Sequence, residues 1–142
     1  MGGDLKVQMA SETEYVAELV WRAENAQRRI LLVDDQPDLG DLFRRYLKES
    51  NWQVVQATCN QAARSELAAL PPDVILLDVI MPQEDGWEFL VEIKGSPAYR
   101  GIPIVVCSAV NEPELVRTLG ADGYLPKPIM QADLLSMLKK VA

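Results

Sequence analysis

Residues 74–86 read Val-Ile-Leu-Leu-Asp-Val-Ile-Met-Pro-Gln-Glu-Asp-Gly, and the reading of this stretch decides the fold. Four branched apolar residues run into a single carboxylate, Asp78. Met81-Pro82 then makes a stiff loop, and Asp85-Gly86 turns into a helix. An apolar run without polar alternation marks a strand buried on both faces. The same ending recurs along the chain. Ile30-Leu31-Leu32-Val33 closes on Asp34-Asp35, Ile104-Val105-Val106-Cys107 closes on Ser108, and a short apolar run leads into Lys127-Pro128. An acid pair, a single acid, a hydroxyl and a lysine thus stand at the ends of four strands.

Outward from these runs the periods alternate. Strands are predicted at 29–33, 53–57, 74–78, 104–108 and 123–126, and helices near 38–49, 60–69, 86–95, 112–119 and 130–141. Leu39, Leu42, Phe43, Tyr46 and Leu47 form one helical stripe, repeated by Leu134, Leu135, Leu138 and Val141. Five strand–helix units with buried strands imply an α/β fold, a parallel sheet covered on both sides. Asp35 or Gln36 is expected to cap a helix opening on Pro37 and Asp38. Residues 1–28 stand apart as an extension. Ser11-Glu12-Thr13-Glu14 reads as a capping box opening a helix near 11–28, with Tyr15, Val16, Leu19, Val20 and Ala23 on one face.

The totals narrow the function. A net charge of −7 argues against nucleic acid as a direct partner. The absence of histidine excludes Ser-His and Cys-His catalysis and His-ligated zinc. Cys59 and Cys107 are too few for a disulfide framework and read as free thiols in a cytoplasmic setting. No apolar run approaches the length of a membrane span, and no signal peptide is visible.

In a doubly wound sheet, ligands sit beyond the carboxyl ends of the strands. Taken singly, each strand-end residue has an ordinary explanation as a cap or a solvated charge. Together they make a site. Three carboxylates brought close repel one another and require a cation. Oxygen ligands with room for water and phosphate oxygens suit Mg²⁺ better than Ca²⁺. An Asp carboxylate can act as a nucleophile and form an acyl phosphate, and a lysine and a hydroxyl can steady the phosphoryl oxygens.

From Arg29 to Ala142 the chain resembles the receiver domain of two-component response regulators. The resemblance is carried by LLVDDQP, LLDVIMPQEDGWEFL, VVCSA and GADGYLPKP, in order and spacing. It implies a flavodoxin-like (βα)5 three-layer sandwich with strand order 2-1-3-4-5, a receiver domain at 29–142 and an extension at 1–28. It makes Asp78 the phosphoacceptor, and Asp34, Asp35, Asp78 and the Ile80 carbonyl the Mg²⁺ ligands. Ser108 and Lys127 would hold the phosphoryl oxygens, with Ser108 and Tyr124 as switch residues. Lys127-Pro128 matches a peptide bond that is usually cis in the family. A histidine kinase or histidine phosphotransfer protein would supply the phosphoryl group. Output would pass to a downstream protein through the Tyr124 face, or to another domain in cis. The sequence offers no helix-turn-helix after Ala142, so direct DNA binding is not expected. The chain departs from the family in a short stretch between Ser108 and Lys127, and in apolar Ile80 and Val110 where many members carry polar residues. Other readings fit less well. A dehalogenase-type phosphatase would want a D-x-D motif and a cap, and a nucleotide-binding flavodoxin-like protein a phosphate loop where DDQPD stands. A phosphorylation-independent interaction module would be expected to lack one of the acids or the lysine. A fragment of a larger regulator or hybrid kinase remains compatible with the same residues.

The apolar face of the 11–28 helix is expected to drive homodimerisation. Sedimentation of the full chain should show a dimer where a chain starting at Gln27 stays monomeric. Monomers in both would mean the helix serves its own domain.

Overall fold

A computed structural model describes residues 12–17, 26–109 and 111–142. In chain order its elements are β1 (Arg28–Val33), α1 (Pro37–Tyr46), β2 (Trp52–Ala57), α2 (Asn60–Ala69), β3 (Val74–Leu77), β4 (Ile80–Met81), β5 (Glu84–Asp85), α3 (Gly86–Gly95), β6 (Ile104–Ser108), α4 (Pro113–Thr118), β7 (Gly123–Pro126) and α5 (Gln131–Val141). Residues 12–17 form a helical segment with Tyr15 and Val16 exposed. The expected cap at Ser11, the rest of that helix's apolar face and Val110 lie outside the described residues.

The main sheet runs β2-β1-β3-β6-β7, with every pairing parallel. This is the 2-1-3-4-5 order of the flavodoxin-like fold. The three central strands are those whose sequence lacks alternation, and β3 and β6 are buried at every position. The edge strands β2 and β7 are only partly covered. One face packs Leu31, Val33, Ile75 and Leu77 against Leu67 of α2, Phe89, Leu90 and Ile93 of α3 and Val116 of α4. The other packs Ile30, Leu32, Val74 and Leu76 against Phe43 and Leu47 of α1 and Leu134 and Leu138 of α5. Alternate residues of one strand therefore feed different helical layers, as the strand period of two requires. α4 is the shortest of α1 to α5, six residues, in the stretch the sequence shows to be short.

Two local expectations change. Neither Asp35 nor Gln36 caps α1 with its side chain; Gln36 is the cap residue without a side-chain bond. Instead Asp34 Oδ1 accepts from the Gln36 N–H at 2.9 Å, a turn closed by the acid two residues back. The segment after Asp78 is also more than a stiff loop. Ile80 and Met81 pair antiparallel with Asp85 and Glu84, making a small ribbon whose tip is Pro82-Gln83. Gln83 takes φ 65°, where glycine is usual, so the sequence lacked the ordinary hairpin signal. The ribbon leads into α3, whose N-cap Asp85 accepts from Glu88 N–H at 3.2 Å.

Gly86, first in α3, presses directly against the Asp78–Val79 backbone. A Cβ there would lie 2.7 Å from the Asp78 carbonyl oxygen and closer still to Val79 Cα. Backbone cannot yield as a side-chain tip can, so Gly86→Ala should destabilise the fold by about 1–3 kcal/mol. Urea unfolding measures this, and a loss well below that range would show that α3 shifts freely against the Asp78–Val79 backbone.

Candidate functional site

The ladders run one residue past the strands, and this aligns the acids. Asp34 N–H donates to Ala57 O at 3.0 Å, and Asp78 N–H to Val33 O at 2.9 Å. Asp34 is fully buried, Asp78 is 5 % exposed, and Asp35 is partly open to solvent. One carboxylate oxygen from each of the three lies within 4.8 Å of the others.

Lys127 reaches into this cluster from the end of β7. Its Nζ lies 2.8 Å from Asp34 Oδ2 and 3.4 Å from Asp78 Oδ2. Its N–H donates to Ser108 O at 3.0 Å, and the Lys127–Pro128 peptide is cis. The following segment is tied to α1: Tyr46 Oη donates to Ile129 O at 3.1 Å, and Gln131 Nε2 donates to Tyr46 O at 3.0 Å. Burial works against the Lys127 charge. The hydrogen bond to Asp34 and the charges of Asp34 and Asp78 outweigh it, and the lysine pKa ends above its ordinary value. Asp78 is less well served. Burial pushes its carboxyl up, although the Ile80 N–H at 2.9 Å from Oδ1 and the Lys127 charge pull it down. The ammonium thus leans toward Asp34 and leaves Asp78 under-compensated.

The other sequence-predicted residues lie on β6, β7 and the ribbon after Asp78. Ser108 is buried at the end of β6, beside β3 in the sheet. Tyr124 is partly buried, and its hydroxyl donates to Ser108 O at 3.5 Å. Ile80 is 53 % exposed, with its N–H turned onto Asp78. Cys107, beneath the site, is fully buried and burial pushes its thiol pKa up, as suits a core residue. Both cysteines are free.

One contributor was missed in the sequence. Glu84 Oε2 accepts from the Asn60 N–H at 2.7 Å, and Asn60 Nδ2 donates to Asp85 O at 3.4 Å. These bonds clip the ribbon after Asp78 to the start of α2. The acid also lies where the helix dipole favours negative charge. No local spacing links residues 60 and 84, so nothing short of the fold reveals the clip.

Residues 30–139 match the family described as the response regulator receiver domain. The chain belongs to that family. It is similar to the phosphate regulon transcriptional regulatory protein PhoB of Escherichia coli K12, at 35 % identity over 117 residues, covering 80 % of this chain and 51 % of PhoB. Among solved structures it is similar to the chemotaxis protein CheY4 of Vibrio cholerae, with TM-score 0.75 and 28 % identity over 82 % of this chain and 100 % of CheY4. The Mn²⁺-bound form of the response regulator Rcp1 matches with TM-score 0.67 and 29 % identity, over 80 % of this chain and 91 % of Rcp1. The chain spans about half the length of the transcriptional regulators it matches. It is a receiver domain with the acidic pocket of a phosphoacceptor.

The donor set fits a divalent cation. Three carboxylates face one ammonium, so the pocket carries excess negative charge, part of it buried and costly unless neutralised. All its side-chain donors are carboxylate oxygens, the preference of a hard ion. Mg²⁺ at about ten times its Kd should therefore stabilise the native state by roughly 1.4 kcal/mol, RT ln(1 + [L]/Kd). Thermal melts with and without Mg²⁺ should show a rise in Tm that shrinks in Asp35→Ala. An equal rise in both proteins would mean the ion binds elsewhere.

Proposed function

We propose that residues 29–142 act as a phosphorylation switch in which Asp78 is the phosphoacceptor, with residues 1–28 an extension. The observation that carries this is the convergence of the Asp34, Asp35 and Asp78 carboxylates, with the Lys127 ammonium 3.4 Å from the nearly buried Asp78 at the end of β3. A histidine kinase or phosphotransfer protein is the donor, as family membership implies. Asp78 attacks the phosphorus of the donor's phosphohistidine. The new O–P bond forms as the N–P bond breaks, and the departing electron pair stays on the imidazole nitrogen. The domain thus promotes its own phosphorylation and acts on no separate substrate.

Asp34, Asp35, Asp78 and the Ile80 carbonyl are the groups that would hold Mg²⁺, and the Mn²⁺-bound form of the similar regulator Rcp1 agrees with a divalent ion in this kind of domain. When bound, the ion neutralises charge on the transferring phosphoryl group. Lys127 adds a second positive charge, and the Ser108 hydroxyl donates to a phosphoryl oxygen. A phosphoryl group on Asp78 gives Lys127 and Ser108 a new acceptor. The pull on Ser108 reaches Tyr124 through the Ser108 carbonyl, which accepts from both Lys127 N–H and the tyrosine hydroxyl. Repacking around Tyr124 then biases a two-state equilibrium read by a downstream protein or a domain in cis. A cytoplasmic location suits these partners, and no helix among the described residues is long and apolar enough to cross a membrane.

Incubation with acetyl phosphate and Mg²⁺, followed by intact-protein mass spectrometry, should add one phosphoryl group. The adduct should vanish in Asp78→Asn. Its persistence at equal stoichiometry would move the acceptor to another residue.

A further inference from the structure

The backbone that carries the acid pair is held by a side chain from another strand. Gln56, on β2, pairs in register with Leu32 of β1. Its Nε2 donates to Asp34 O at 2.9 Å and to Gln36 O at 2.8 Å. An amide NH₂ has two hydrogens, and these two bonds use both. The two acceptors flank Asp35, so one side chain spans the residue on each side of it. This segment lies beyond β1 and before α1. α1 has no side-chain cap to anchor it from the other end. We infer that Gln56 is a positioning residue for metal binding, which clamps the Asp34–Gln36 turn so that the Asp34 and Asp35 carboxylates converge with Asp78.

A second observation agrees. Gly40, buried on α1, leaves the space that the Gln56 amide fills. A Cβ at residue 40 would overlap Gln56 Oε1 and lie 3.1 Å from its Cδ. Glycine is a poor choice inside a helix, and alanine would favour the helix itself. The chain keeps glycine where only the clamp needs the room. Gln56 and Gly40 touch no ligand; they act through the turn between them. The inference rests on reading the acid pair as metal ligands.

Isothermal titration calorimetry with Mg²⁺ tests it on the full chain, with melting of the metal-free protein as a control. Outer groups that orient metal ligands typically carry ten- to a hundredfold in affinity, so Gln56→Ala should weaken Mg²⁺ binding about tenfold. Gly40→Ala should weaken it similarly while leaving the metal-free melting temperature equal or higher, which a merely structural role would not do. The double variant should lose no more than either single one, because both remove the same clamp. Acetyl phosphate labelling of Gln56→Ala should be slow at low Mg²⁺ and reach the wild-type rate at saturation. Affinity within about twofold of wild type in Gln56→Ala overturns the inference, as do losses that multiply in the double variant. If the wild-type chain takes up no Mg²⁺, the metal reading falls first and takes this inference with it.

Discussion

The structure turns on the enforced closeness of Asp34, Asp35 and Asp78. Like charges within a few Å raise one another's energy, steeply where burial removes water. Asp34 is sealed from solvent and Asp78 nearly so. Lys127 offsets part of the repulsion but divides itself unevenly, nearer to Asp34 than to Asp78. The remainder is a standing demand for positive charge at one point on the surface. The three carboxylates make a site that suits a divalent ion, which would meet that demand.

Such a cluster survives only on a rigid frame, and the frame is the parallel sheet. β1 and β3 are neighbours, so their terminal acids face the same crevice, and the backbone bonds from Asp34 and Asp78 extend the ladder to the acids themselves. The two helical layers bury both faces of these strands. Around this frame the loops are tied rather than loose. The ribbon after Asp78 is held to α2 by Glu84, and the Asp78–Val79 backbone that leads into it lies against Gly86. The segment after Lys127 is bound to α1 through Tyr46. Pairs farther out serve the scaffold. Arg64 makes two bonds to Glu92 between α2 and α3, 2.8 and 2.7 Å, which hold the Glu92 carboxyl below its ordinary pKa. At that exposure such a pair contributes at most about 1 kcal/mol.

The same frame leaves one side lighter. α4 is a six-residue helix with one buried residue, Val116. Tyr124 lies beside it, with its hydroxyl directed to the Ser108 carbonyl. A short helix with little buried surface costs less to shift than the longer helices around it. Of the helices α1 to α5, α4 is therefore the one that moves at least cost.

The sequence by itself determined the five strand–helix units, because their cues are local. Unbroken Val, Ile and Leu at 30–33, 74–77 and 104–106 read as buried strands, and the stripes at 39–47 and 134–141 read as amphipathic helices. Their alternation demanded a parallel sheet. The acids, hydroxyl and lysine were legible because each closes an apolar run, and strand ends converge by the logic of the fold. Pairwise distances decided the rest. That Lys127 favours Asp34, that Glu84 holds Asn60 and that Gln56 spans the acid turn all join residues remote in the chain, and no periodicity encodes them. The ribbon at 80–85 escaped because Gln83 adopts a backbone conformation that its side chain does not advertise. Local sequence chooses the shapes of segments through sterics and burial, whereas the electrostatics of the site depend on separations of a few Å, which only the packed chain sets.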